Sequence, residues 1–205
     1  MKYFKRIRDN IDPEPLLNEI AALGDAWAIV TGRQDKIAVQ REALAIPLRG
    51  LRRSQMHGRK RSDVHESRWT GASAQFPHAR AFLEETAAAL ACDLSRGKIV
   101  CLPAGRRVYP HLDRGRYYRL RGRYHLVLKS ASGLWLKAAD EEMRLRAGAL
   151  WWFDNDQMRE AFNDGDRDRI HMIFDLPPHD RRAEAQAATA AAIARMADPQ
   201  ARAVA

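Results

Sequence analysis

Between Lys98 and Leu176 the chain breaks into short runs rich in Val, Leu, Trp, Tyr and Phe, separated by turn residues: KIVCLP, RVYPHLD, RYHLVLKS, LWLKAA, EMRLR, ALWWFD, REAFN and DRIHMIFDL. Short strands at such even spacing favour a sandwich or barrel. Ala131-Ser132-Gly133 and Asn163-Asp164-Gly165 supply glycines of the kind that hairpin connections need. In Trp151-Trp152-Phe153 the side chains alternate, so one aromatic face belongs to the core and the other is free to line a mouth.

The flanking segments read differently. Asp12-Pro13-Glu14-Pro15 followed by LLNEIAALGDAW predicts a helix, IAVQREALAIPL (37–48) a strand, and the charged stretch 49–68 a loop. A second helix starts at Pro77 and is expected to end before Gly97, and after Pro177-Pro178 an alanine-rich helix follows without an obvious apolar face. The expected organisation is one domain: 1–97 packing on the core, 98–176 the β core, and 177–205 a helical tail. At 205 residues, 46% of them hydrophobic and 30% charged, the chain can bury a core, and no apolar run has the length of a spanning helix.

Cys92 and Cys101 are too few for a disulfide framework, and MKYFKRIRDN is charged where a signal peptide would be apolar, so a reducing cytoplasm is expected. Lys+Arg 35 against Asp+Glu 26 gives a net charge of +9, mostly through arginine. Arg106, Arg107, Arg114, Arg116, Arg119, Arg121 and Arg123, with Tyr117 and Tyr118 among them, suit either a solvated strand edge or an attraction for acidic partners. A nucleic-acid partner is the least favoured reading, and phosphate loops, G-x-S-x-G elbows and zinc-spaced Cys/His sets are absent from the sequence.

Chemistry concentrates at Pro110-His111-Leu112-Asp113. On a strand, residues i and i+2 share a face, so His111 and Asp113 present an imidazole and a carboxylate together, as a two-His, one-carboxylate iron site requires. Taken alone the pair reads more readily as a surface ion pair.

The order PHLDRGRYYRLRGRYHLVLKS, then GALWWFDN, then REAFNDGDRDRIHMIFDL closely resembles the aspartyl/asparaginyl β-hydroxylase family, which includes bacterial proline-hydroxylase-like members. The resemblance implies a mainly β fold with flanking helices, a double-stranded β-helix (jelly roll, cupin-like). It also implies a dioxygenase using Fe(II), 2-oxoglutarate and O2 to hydroxylate an amino acid or a peptidyl Asp/Asn/Pro-type side chain. His111 and Asp113 match the family's metal ligands, and Arg169 the arginine that grips the distal carboxylate of 2-oxoglutarate. Arg123 and His125 match residues that reach its other end in some members, although on their own they read as a solvated strand face.

One position departs from the pattern. Where the family has the second metal histidine, in H-E-A, this chain has Arg159-Glu160-Ala161. A guanidinium offers no lone pair and repels a divalent cation. Three arrangements follow. Arg159 can pair with Asp113 in a metal-free site, leaving a catalytically silent binding protein. His171 can replace the missing ligand, if Asn163-Asp164-Gly165 turns a hairpin that sets 159 across from 169–171, although a core histidine is the plainer role for it. Or Arg159 points away, and two protein ligands hold iron with water.

Overall fold

The computed structural model describes residues 1–24, 27, 41–51, 64–130 and 133–197. All eight expected strands form: β4 (Gly97–Leu102), β5 (Arg107–His111), β6 (Gly122–Lys129), β7 (Leu134–Ala138), β8 (Glu141–Met143), β9 (Leu150–Phe153), β10 (Arg159–Asn163) and β11 (Arg169–Leu176). Upstream lie β1 (Phe4–Arg8), α1 (Glu14–Ala22), β2 (Leu44–Gly50), β3 (Arg68–Trp69) and α2 (Pro77–Ala89). A one-turn helix α3 (Arg116–Arg119) precedes β6, and α4 (Arg182–Ala197) follows the last strand. Most of the expected 49–68 loop, and the first part of the 37–48 strand, lie outside the described residues.

The strands make a jelly roll of two antiparallel sheets. The larger has the order β1-β9-β6-β11-β4-β2-β3 and the smaller β5-β10-β7-β8. The larger sheet takes strands from both sides of residue 98 and includes β1, which pairs with β9 through Phe4↔Phe153 and Lys5↔Trp152. Both glycine turns carry the chain from one sheet to the other, β6 to β7 and β10 to β11, so neither closes a hairpin as expected. Arg159 is therefore not across from residues 169–171; it lies opposite His111 on β5 and Ala138 on β7.

Period-two alternation gives the large sheet two different faces. On β11, Ile170, Met172, Phe174 and Leu176 pack outward with Leu126 and Leu128 of β6, Ile99 and Cys101 of β4, and Leu16, Ile20 and Leu83 of the helices. Facing the small sheet, Val127, Trp151 and Phe153 join Leu136, Ala138 and Ala161 in a second, smaller core. Trp151 and Phe153 are the buried members of the aromatic triplet, as their spacing requires.

Helix α2 begins without a side-chain cap of its own. The cap comes from α1, where the Glu19 carboxylate accepts the backbone N–H groups of His78 and Ala79. An acid at a helix N-terminus satisfies free donors and meets the positive end of the dipole. Gly97 does not stop this helix; it opens β4, where an added Cβ would lie 3.5 Å from Leu83 and 3.6 Å from Phe174. Among the described residues no helix is long and apolar enough to cross a membrane.

Candidate ligand-binding site

The alternation that buries Ile170, Met172 and Phe174 outward turns Arg169, His171 and Asp175 inward. Their inward neighbours on β6 follow from the register: Asp175 is opposite Arg123, and Ile173 opposite His125. The small sheet faces them with Arg159 and, at the end of β5, His111. Between the sheets lies a cavity lined by His111, Arg123, His125, Arg159, Arg169 and His171. Asp113 sits two residues beyond the end of β5 and is held in place by ion pairs rather than by the strand ladder.

Arg159 donates from Nη2 to Asp113 Oδ2, and Arg123 donates from Nη1 to the same oxygen. The rest of the Arg123 fork takes Asp175, Nε to Oδ1 at 2.7 Å and Nη2 to Oδ2 at 3.0 Å. Tyr117 donates to Asp175 Oδ2 at 3.2 Å. Burial alone would raise the Asp113 carboxyl, but the two guanidiniums outweigh it and hold the group well below the usual carboxylate range. Burial likewise works against the Arg123 charge, and Asp113 and Asp175 overcome it. This is not the solvated face that Arg123 and His125 suggest in sequence; His125 is buried, the Arg123 side chain is only 12% exposed, and the His125 ring lies perpendicular to Phe153 at 4.7 Å.

Arg169 has a different environment. It is 6% exposed, and among the described residues its guanidinium hydrogen-bonds His171, Nε to Nε2 at 3.1 Å and Nη2 to Nδ1 at 3.0 Å. His171 is itself buried, and burial together with the Arg169 charge keeps its imidazole neutral. A neutral imidazole has one acceptor nitrogen, so it can satisfy one of these contacts at most. Burial brings Arg169 down to about 10, with no carboxylate among the described residues to offset it. At neutral pH it remains a buried cation without an anion among the described residues. Such a group is costly unless a ligand supplies the charge.

The two groups the family implies fare differently here. A 2-oxoglutarate carboxylate fits, because Arg169 offers an uncompensated planar fork inside the cavity. Iron does not fit. His111 would be suitable, since Nδ1 lies 2.7 Å from the Tyr109 carbonyl, which fixes the tautomer and leaves Nε2 a lone pair. Asp113, however, is engaged by two guanidiniums, and among the described residues no three His, Cys, Asp or Glu side chains are grouped to hold a metal. His171 does not complete a set with His111; it contacts Arg169 and, at 3.4 Å, His125. Its place is that of an interior histidine.

Asp175 and Tyr117 belong to this cluster; the sequence singles out Tyr117 only as part of the arginine-rich series, and Asp175 not at all. For Asp175 a signal existed, because in RIHMIFD it shares the period-two face of Arg169 and His171.

Residues 56–178 match the aspartyl/asparaginyl β-hydroxylase family, and the chain belongs to it. The fold is similar to that of a prolyl hydroxylase from Trichoplax adhaerens, solved with a hypoxia-inducible-factor peptide, at 12% identity, TM-score 0.57, covering 88% of this chain and 86% of that one. It is also similar to an oxidoreductase of the 2OG-Fe(II) oxygenase family from Burkholderia pseudomallei, at 12% identity, TM-score 0.52, covering 84% and 94%. No curated protein matches the chain.

Proposed function

We propose that this member of a hydroxylase family binds a dicarboxylate of the 2-oxoglutarate class in its barrel mouth without resident iron, as a binding protein rather than an oxygenase. The observation that carries this reading is the Arg159–Asp113 ion pair, which occupies the carboxylate that a metal would need. A fixed positive charge there supplies what the metal would have supplied to Asp113. Arg169 provides the charge for the ligand's distal carboxylate.

The test is calorimetry with 2-oxoglutarate in excess chelator. Binding without metal is expected, weakened by about 1.5–3 kcal/mol in Arg169→Gln, as for loss of a hydrogen bond to a charged group. Conversion of 2-oxoglutarate to succinate should stay at background when Fe(II) is added anaerobically and O2 is then admitted. A strict metal requirement for binding, or turnover, would overturn the reading.

A second reading is Fe(II)-dependent hydroxylation of an amino acid or of a peptidyl Asp, Asn or Pro side chain. It is favoured by family membership and by His111 and Asp113 standing at the positions that match metal ligands. It requires Arg159 to leave Asp113. The peptide bound to the Trichoplax enzyme makes a peptide the substrate class to try first under that reading.

A further inference from the structure

We infer that Arg159 does more than neutralise Asp113: its second nitrogen, with Arg169 on the opposite sheet, forms a two-arginine clamp that recognises both carboxylates of the ligand. The 2-oxo group is then dispensable. The inference deepens the metal-free reading above and rests on it.

Arg159 is 5% exposed, and Phe153 lies beneath its guanidinium at 5.2 Å. Nη2 is taken by Asp113, but Nη1 is buried with no hydrogen-bond partner among the described residues. A buried charged donor left unmade is costly, so a strand that keeps one facing a cavity indicates an acceptor that arrives from outside. Arg169 presents a different deficit from β11, a buried charge held only by His171 among the described side chains and with no carboxylate beside it, and both side chains line the same space. Two guanidiniums from opposing sheets suit a molecule with a carboxylate at each end. Between them the interior histidines His125 and His171 are buried and held toward the neutral form, by burial first, so they add no competing positive charge.

The chemistry sets the selectivity. A metal ion favours an α-oxo acid because it can chelate the carboxylate and the adjacent carbonyl together. A guanidinium recognises the carboxylate through parallel N–H···O bonds and gains little from the carbonyl. A metal-held site therefore prefers 2-oxoglutarate over glutarate, whereas this clamp accepts any dicarboxylate of that size and rejects a monocarboxylate.

Calorimetry in chelator with 2-oxoglutarate, glutarate, succinate and butyrate tests this on the natural chain, Arg159→Lys and Arg159→Gln. Lysine keeps the charge beside Asp113, and so the fold, but has no second planar nitrogen. For the natural chain, glutarate should bind within about threefold of 2-oxoglutarate and butyrate at least about tenfold more weakly, the scale of one lost charge-assisted contact. Both variants should lose most of the preference for dicarboxylates over butyrate, with Arg159→Lys retaining the natural melting temperature.

If 2-oxoglutarate binds through Arg169 but glutarate does not, or if Arg159→Lys keeps the full dicarboxylate preference, the clamp is wrong while metal-free binding stands. If no dicarboxylate binds in chelator, both fall.

Discussion

Arg159 exchanges a nitrogen donor for a fixed charge, and the consequence is structural before it is functional. Asp113 has burial against it and two guanidiniums in its favour, so removing its charge leaves Arg159 buried without an anion. Asp113→Asn should destabilise the fold by about 3–5 kcal/mol in urea unfolding, the range for breaking a buried pair from one side. A loss under about 1 kcal/mol would mean that the pair is loosely formed. Because the folded Asp113 pKa is depressed, its contribution is complete above the unfolded carboxylate value of about 4 and disappears as pH falls below it. The arginine at this position is visible in sequence as a break in a family pattern. Its partner was one of three alternatives until the fold placed residue 159 opposite His111.

The strand β10 and its exit turn set the angle at which the two sheets present their arginines. Asn163 is fully buried at this corner and donates from Nδ2 to the Leu102 carbonyl at 2.9 Å and to the Arg167 carbonyl at 2.8 Å. Its backbone also pairs with Gly105 and Arg106. One side chain thus joins the end of β10, the end of β4 and the approach to β11. Asn163→Ala should cost about 2–3 kcal/mol through two unpaired carbonyls, and it should weaken dicarboxylate binding although residue 163 lies outside the cavity. Unchanged affinity would show that the corner does not position the clamp. Here the sequence misled. Asn-Asp-Gly between two apolar runs reads locally as a hairpin signal, and local turn chemistry cannot say whether the next strand pairs with the last or crosses to the facing sheet. Strand identity was legible because the alternation is strong; strand partnership depends on contacts far apart in the chain. β1 was missed for the same reason, since FKRIR shows only two apolar residues and becomes a strand by pairing with β9.

At the scale of the molecule, the interior stores several imidazoles in neutral form. Burial leads in each case, and nearby arginines push His65 further, to about 4, and His125 and His171 well below the ordinary value. The unfolded chain takes up protons on these groups near pH 6.5 while the folded chain does not, so stability is full above that value and is lost as pH falls toward the folded pKa values. The slope should approach about 1.4 kcal/mol per pH unit for each such histidine, and His65→Gln should remove one increment of it near pH 5. An unchanged slope in the variant would place a charged His65 in the fold. The same positive interior bears on the central claim, that Arg159 stands where a resident metal would be held. Anaerobic calorimetric titration of Fe(II) into the natural chain and into Arg159→His tests it most directly. Removing the repelling charge and restoring a nitrogen donor should give the variant a stoichiometric site that binds at least about tenfold more tightly than anything in the natural protein. Equal, stoichiometric Fe(II) binding by both would contradict the account.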